Sequence, residues 1–213
     1  MKKLTTSSIK DVFPKALVRR YDKGQIICYD GDQPQYVFFV AKGHVRYYDI
    51  DKEGNEKILH VVGKDNMFPM LFAFGVTEHV DGFYATMEAV EVVAVPLKDF
   101  NTLRQEDNQF SNDLTYWFLT EINQLVYRIA SLQKTDARDK VLYALSYLAS
   151  VYGHNVNGWQ RLDFPITQQF IADLTGLARE TVSNTMHELE NDKLVKHRKS
   201  HQLDIKSSAI NKL

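Results

Sequence analysis

In the first half of the chain the apolar positions fall into short β-prone runs at 25–29, 36–41, 45–50, 57–62, 83–88 and 90–95. Turn-forming clusters separate them: Lys23-Gly24, Asp30-Gly31-Asp32, Lys42-Gly43, Lys52-Glu53-Gly54-Asn55 and Val62-Gly63-Lys64-Asp65. Even spacing with glycine at the corners predicts an antiparallel barrel or roll. Pro96 ends this texture, and the acidic pair Glu106-Asp107 predicts the start of a long helix. Residues 108–134 contain no Gly or Pro, and Phe118, Ile122, Leu125, Ile129 and Leu132 recur there at steps of 4, 3, 4 and 3. That is a heptad seam. Such a stripe can pack within a domain, but the alternating steps suit two parallel helices, which favours a homodimer interface.

Asp136 is placed to N-cap a further helix through Val141, Leu142, Leu145 and Leu148, leaving Lys134-Thr135 as a hinge. Residues 153–158 read as a polar loop and 161–165 as a short strand or connector. Thr167 can then cap a helix over 168–175, with Ile171, Ala172 and Leu174 on its buried side and Gly176 at its end. A second helix begins at Arg179 and buries Val182, Met186 and Leu189. Two short helices sharing one core need a small residue at their crossing, a glycine in the turn and a β-branched residue packing back. Ala172, Gly176 and Val182 occupy those places. An ordinary helical hairpin would meet the same demands, but it leaves Arg179, Glu180 and Thr181 on the exposed start of the second helix unexplained. A DNA-reading helix explains them, because arginine pairs with guanine O6 and N7 and a carboxylate accepts from cytosine N4. The segments 194–198 and 202–205 flank Lys199-Ser200 and read as a β-hairpin wing whose basic tip rests on phosphates.

With 213 residues, two compact domains are expected. Apolar residues make up 44% and charged residues 25%, the balance of a folded globular protein. No stretch has the length of a membrane span, and Met1-Lys2-Lys3 leads into polar Thr5 to Ser8 rather than an apolar signal core, so the cytoplasm is the expected address. The single cysteine, Cys28, cannot form an internal disulfide and reads as a small buried strand residue. The formal net charge is −1, so any nucleic-acid footprint must be local. Residues 193–206 supply it, with five Lys or Arg against Asp204 alone, although such a run also serves as a plain solvated face.

These features resemble the family of the cyclic AMP receptor protein and the fumarate-nitrate reductase regulator over nearly the whole chain. The strongest part is the run from Ile166-Thr167-Gln168-Gln169 through Gly176-Leu177-Ala178-Arg179-Glu180-Thr181-Val182-Ser183. Lys23-Gly24, Gly31-Asp32, Phe38-Phe39-Val40 and Gly43-His44-Val45 look like the framing residues of the family's β-roll. The resemblance implies an α+β chain: an N-terminal antiparallel β-roll of the cyclic-nucleotide-binding jelly-roll kind (1–105), a dimerisation helix and hinge (106–135) and a C-terminal winged helix-turn-helix (136–213). It implies that Arg179 and Glu180 read bases and that Thr167, Gln169 and Thr181 touch phosphate. Gln168, Ser183, Asn184, His187, Lys196, Arg198 and Lys199 complete the DNA-facing candidates. Asn184 departs from the family's usual second arginine and is better matched to adenine N6 and N7, so a half-site different from that of the cyclic AMP receptor protein is expected. Ala178 replaces a common hydroxyl residue.

The sensor region departs further. Cyclic-nucleotide binders of the family carry Phe-Gly-Glu and then Arg-Ser or Arg-Thr, whereas this chain has Phe68-Pro69-Met70-Leu71-Phe72-Ala73-Phe74-Gly75 and Asp81-Gly82-Phe83-Tyr84-Ala85. Cyclic AMP in the usual mode is therefore not expected. An apolar effector pocket would draw on Phe68, Met70, Leu71, Phe72, Phe83 and Tyr84, joined by Tyr116, Trp117 and Thr120; a core packed shut is the equal alternative. His44, His60 and His79 show no ligand spacing, so no metal or cofactor is assigned. The expected partners are double-stranded DNA and a second copy, with RNA polymerase a further candidate and no membrane. Two other classes compete: a DNA-binding module with a degenerate sensor, and a cupin-like barrel enzyme, which needs a His-x-His pair that is absent here.

Overall fold

The computed structural model describes residues 5–210. Met1-Lys2-Lys3 and the last three positions of the 136–213 domain lie outside them. The chain divides into two compact units, Met1–Glu121 and Ile122–Leu213.

The first unit opens with helix α1 (Thr6–Val12), capped by a reciprocal Thr5–Ser8 box. The roll follows, with β1 (Leu17–Tyr21), β2 (Ile26–Cys28), β3 (Tyr36–Lys42), β4 (Val45–Ile50), β5 (Glu56–Val62), β6 (Met67–Phe68), a one-turn helix α2 (Met70–Ala73), β7 (Phe83–Thr86) and β8 (Val90–Pro96). All pairings are antiparallel, in one sheet of order β1-β8-β3-β6 and another of order β2-β7-β4-β5. Helices α3 (Leu97–Glu106) and α4 (Asn108–Leu132) complete this part.

Strands β3 and β8 are apolar at nearly every position because both of their faces are buried. Phe38, Val40, Val92 and Ala94 point between the sheets, joining Cys28, Val45, Val62, Phe68 and Tyr84. Val37, Phe39, Val93 and Val95 point the other way, into a second core built with Ile9 and Phe13 of α1, Phe100 of α3 and Phe110, Leu114 and Trp117 of α4. Gly43 turns the chain from β3 to β4 at φ +84, and a Cβ there would lie 2.7 Å from the Ala89 carbonyl oxygen. Only glycine meets both conditions. Polar contacts fasten the helices: the Thr6 N–H and hydroxyl both donate to Asp65, at 2.8 and 2.6 Å, and the Trp117 Nε1 donates to Asn66 Oδ1 at 3.2 Å. His60 on β5 meets Glu121 on α4 at 3.1 Å in a largely buried pair.

Several expectations need correction. Glu106 ends α3 rather than opening the long helix; Asp107 breaks the chain there and its carboxylate accepts from the N–H groups of Gln109 and Phe110. The periodicity gave no sign of β1, because only one of its sheet edges is paired and its outward Leu17 and Val18 blur the alternation. Phe118 belongs to the roll core, packing edge-to-face on Phe74 at 4.5 Å. The exposed apolar stripe of α4 is instead Leu119, Ile122, Val126 and Ile129, flanked by Leu132, while Leu125 is half-buried.

The second unit contains the end of α4, then α5 (Ala137–Tyr152), β9 (His154–Val156), β10 (Trp159–Leu162), α6 (Gln168–Thr175), α7 (Arg179–Asn191), β11 (Val195–His197) and β12 (Leu203–Lys206). Asp136 caps α5, accepting from the N–H groups of Arg138 and Asp139. The four strands form an antiparallel sheet of order β11-β12-β10-β9, so the segment expected as a polar loop contains an edge strand.

Replacing Phe68, 1% exposed and stacked on Phe38 and Tyr84 at 5.3 and 5.0 Å, opens a cavity between the sheets. Phe68→Ala is expected to lower unfolding free energy by about 3–5 kcal/mol, measured by urea denaturation.

Candidate nucleic-acid interface

Helix α6 starts at Thr167, whose hydroxyl accepts from the Phe170 N–H at 3.0 Å. It stops at Gly176, which adopts φ +71 and returns its N–H to the Ala172 carbonyl at 2.8 Å. A Cβ at Gly176 would meet nothing within 4 Å, so the left-handed backbone, not crowding, selects glycine. Three residues later α7 begins and buries Val182, Thr185, Met186 and Leu189 against α6 and α5. With 3.6 residues per turn, the opposite face must present Arg179, Glu180, Ser183, Asn184 and His187. Arg179, Glu180, Asn184 and His187 are exposed, and Thr181 and Ser183 are half-buried at its margins. Ala178, the N-cap, has no side chain to accept from the first amides of α7.

The wing lies beside the start of α6. The Ile166 N–H donates to the His201 carbonyl at 2.8 Å, and the Gln202 amide donates to the Asp163 carbonyl at 2.7 Å. Ser200 and His201, both at φ +60, make the tight turn between β11 and β12. Thr167, Gln168 and Gln169 therefore stand next to the wing turn that carries Lys199.

Two wing cations have intramolecular partners. The Lys196 Nζ sits 3.8 Å above the Trp159 ring, and Arg198 lies 3.6 Å from Asp204. Asp204 is chiefly held by Arg161, which donates twice to its carboxylate at 3.0 and 3.2 Å. Burial works against the Asp204 charge, but Arg161, with help from Arg198, holds its carboxyl below the usual carboxylate range. Gln169 is engaged with Asp173 at 2.7 Å, and His187 lies 3.7 Å from Glu190. Sequence reasoning missed Arg161, Asp204 and also Arg138, which reaches from α5 to Asp192 at the end of α7 at 2.6 Å. The only sequence signal for the first pair was their cross-strand register, invisible until β10 and β12 are aligned.

The residues proposed for an effector pocket are not gathered in one place. Strand alternation puts Phe68 between the sheets while Met67 faces the helices, and the turn of α2 sends Phe72 to the first core and Met70 to the second. Phe38, Phe68, Tyr84 and Tyr47 form a continuous stack at spacings of 5.3, 5.0 and 4.7 Å. Burial, then the neighbouring Tyr47, pushes the Tyr84 hydroxyl up. Phe83 stacks on Tyr48 at 5.3 Å instead. Trp117 is buried in the second core, whereas Leu71, Tyr116 and Thr120 are exposed. Cys28, 1% exposed, has its thiol pushed up to about 12 by burial and then by Asp32, which leaves little of the reactive thiolate.

Residues 18–107 match the cyclic nucleotide-binding domain and residues 139–209 the Crp-like helix-turn-helix domain. The chain belongs to the Crp/Fnr family of transcription regulators. A relative from Staphylococcus haemolyticus, the HTH-type transcriptional regulator ArcR, is 28% identical over 92% of this chain and 86% of its own. Among solved structures, FixK2 from Bradyrhizobium japonicum superposes with a TM-score of 0.76 at 20% identity, covering 92% of this chain and 95% of that one. A CRP/FNR-family regulator from Thermus thermophilus does so with 0.70 at 21% identity, covering 91% and 96%. The Crp/Fnr order of β-rich cyclic-nucleotide-binding-type domain, helices and DNA-binding helix-turn-helix is thus the order of this chain, and its class is regulator rather than enzyme. Among the described residues, no helix is long and apolar enough to cross a membrane.

Two changes test this local chemistry. Ala178→Ser supplies the missing cap acceptor and is expected to raise stability by about 1 kcal/mol, read as an increase in melting temperature. Asp204→Asn removes the carboxylate that Arg161 grips and should lower stability at neutral pH by about 2 kcal/mol. Because the folded-state pKa of Asp204 is depressed, that contribution exists above the ordinary carboxylate range and fades as pH falls below about 4. The gap between wild type and variant in thermal unfolding should close over the same interval.

Proposed function

We propose that this regulator acts as a homodimer that binds a symmetric operator of two half-sites one helical turn apart, reading each through the outer face of α7. The observation that carries this reading is the division of α7 into a fully buried apolar side and an exposed polar side bearing Arg179, Glu180 and Asn184. Arg179 donates to guanine O6 and N7, Glu180 accepts from cytosine N4, and Asn184 pairs with adenine N6 and N7. Thr167, Gln168, Gln169, Thr181 and Ser183 serve the phosphates flanking the groove. In the wing, Lys199 at the turn makes the main phosphate contact, because Lys196 and Arg198 are drawn to Trp159 and Asp204. The dimer seam is Leu119, Ile122, Val126 and Ile129, an apolar stripe at steps of 3, 4 and 3 exposed in a single chain.

The family resemblance implies control by an effector at the roll. One observation favours a second reading, a roll that is closed by its own side chains and a DNA-binding state that needs no ligand. That observation is the stack of Phe38, Phe68, Tyr84 and Tyr47 in the roll.

Fluorescence anisotropy with duplexes selected by the wild-type protein from a random pool tests both. Binding should weaken steeply with salt, and Arg179→Ala should weaken the selected duplex by about tenfold or more while leaving random duplex unaffected. Lys199→Ala should weaken both alike and reduce the salt slope by about 1. Absence of salt-dependent duplex binding, or an Arg179→Ala protein with unchanged discrimination, overturns the proposed readout. Protein refolded from denaturant, free of small molecules, separates the two sensor readings: full affinity favours the closed roll and lost affinity favours an effector.

A further inference from the structure

Near the end of α4 lies a cation that the apolar stripe does not explain. Arg128 is 5% exposed, and its guanidinium donates to the backbone carbonyl of Leu174 in the last turn of α6. Ser131, itself buried, accepts from the same guanidinium at 3.4 Å and donates its hydroxyl to the Arg128 carbonyl at 2.7 Å. Burial pushes the Arg128 pKa down to about 10, with the nearby Tyr147 acting in the opposite direction, so the group still carries its charge at neutral pH.

This bond serves the carboxyl end of α6. A helix leaves its last four carbonyls without intrahelical donors. Of these, the Ala172 carbonyl receives the Gly176 N–H at 2.8 Å. The Leu174 carbonyl is served by Arg128, at the negative end of the α6 dipole, where a cation is most favourable. This contact spans 46 residues and bypasses the break between α4 and α5, where the backbone alone would leave the helix-turn-helix free to pivot. The partner of Arg128 is backbone two residues before the left-handed Gly176 that orients α7, not a side chain that could follow by changing rotamer.

We infer that Arg128 is a positioning residue for DNA recognition: it fastens the carboxyl end of α6 to the dimerisation helix, so that the two recognition helices of a dimer are held at the spacing of two half-sites. This inference rests on the homodimer and two-half-site reading above. Arg128 touches no DNA in this scheme; it acts through α6 and the turn at Gly176.

The test uses the full chain and its selected duplex in three forms: two half-sites, one half-site with the other scrambled, and two half-sites with one or two base pairs added between them. Wild-type protein, Arg128→Lys and Arg128→Met are titrated on each, with circular dichroism melting and sedimentation to record folding and dimer mass. Arg128→Met is expected to lose about tenfold in affinity for the two-half-site duplex, and less than about twofold for the single half-site. It should also discriminate less against the lengthened spacers, and Arg128→Lys, retaining charge without the planar fork, should fall between. Should Arg128→Met not fold, the same split is read on Arg128→Lys. Equal losses on one and two half-sites, unchanged affinity throughout, or failure of both variants to fold overturns the inference. A wild-type protein that is monomeric, or that binds two half-sites no better than one, would instead overturn the dimer reading.

Discussion

The antiparallel pairing of β3 with β8 is the constraint on which the first unit rests. Each strand buries both faces, so every residue from Val37 to Val40 and from Val92 to Val95 is committed to one of two cores. Neither core could form without the other, because the alternation that feeds the interior of the roll also feeds the platform on which α1, α3 and α4 lie. Gly43 holds the register by letting the chain reverse against Ala89 and Val90, where any side chain would collide. Trp117 and Phe118 are consequences of this pairing: they pack into the core on the outer face of β3 and β8, and they leave Leu119 on the exposed side of α4.

In the second unit the equivalent constraint is smaller. Gly176 must adopt a left-handed conformation for α7 to turn back on α6 and bury Val182 and Met186, and that turn together with the packing on α5 decides which face of α7 meets solvent. The wing is then tied to the residue before α6 by the backbone bond from Ile166 to His201 and to Asp163 by Gln202, so the start of α6 and the wing turn share one scaffold. Arg161 and Asp204 brace the sheet, and Arg138 braces the end of α7 through Asp192. Recognition surfaces are precise only when their supports are packed this way.

The helix-turn-helix was the most legible part of the chain, because three position-specific demands fall on Ala172, Gly176 and Val182 and few other folds would place them so. Helix α6 begins and ends where the pattern put it, α7 begins there, and β4 and β5 nearly match. Strand β1 was hidden by its half-paired edge, and β9 by a composition that resembles a loop. The error at Phe118 has a clear cause: on a helix apolar on two sides, a 4-3-4-3 seam can be traced through residues belonging to different faces, and only the neighbouring roll decides between them. Arg128 was illegible for a similar reason. An arginine on a half-exposed helix reads as solvated until a backbone carbonyl from 46 residues away is found against it.

The dispersal of the supposed effector residues also has a physical logic. Strand β6 is only two residues long, yet Phe68 lies within the aromatic stack between the sheets while Met67 lies in the core shared with Trp117. Asn66, immediately before it, accepts the Trp117 indole N–H, and Asp65 before that holds α1 through Thr6. Four consecutive residues therefore join the roll interior, the helix platform and the amino-terminal helix. Phe68 touches the stack between the sheets, while the two residues before it, Met67 and Asn66, touch α4. A closed roll and a responsive one would then differ in a single respect, whether anything offsets the packing of Phe68, because the contacts that join its strand to α4 through Met67 and Asn66 are the same in both.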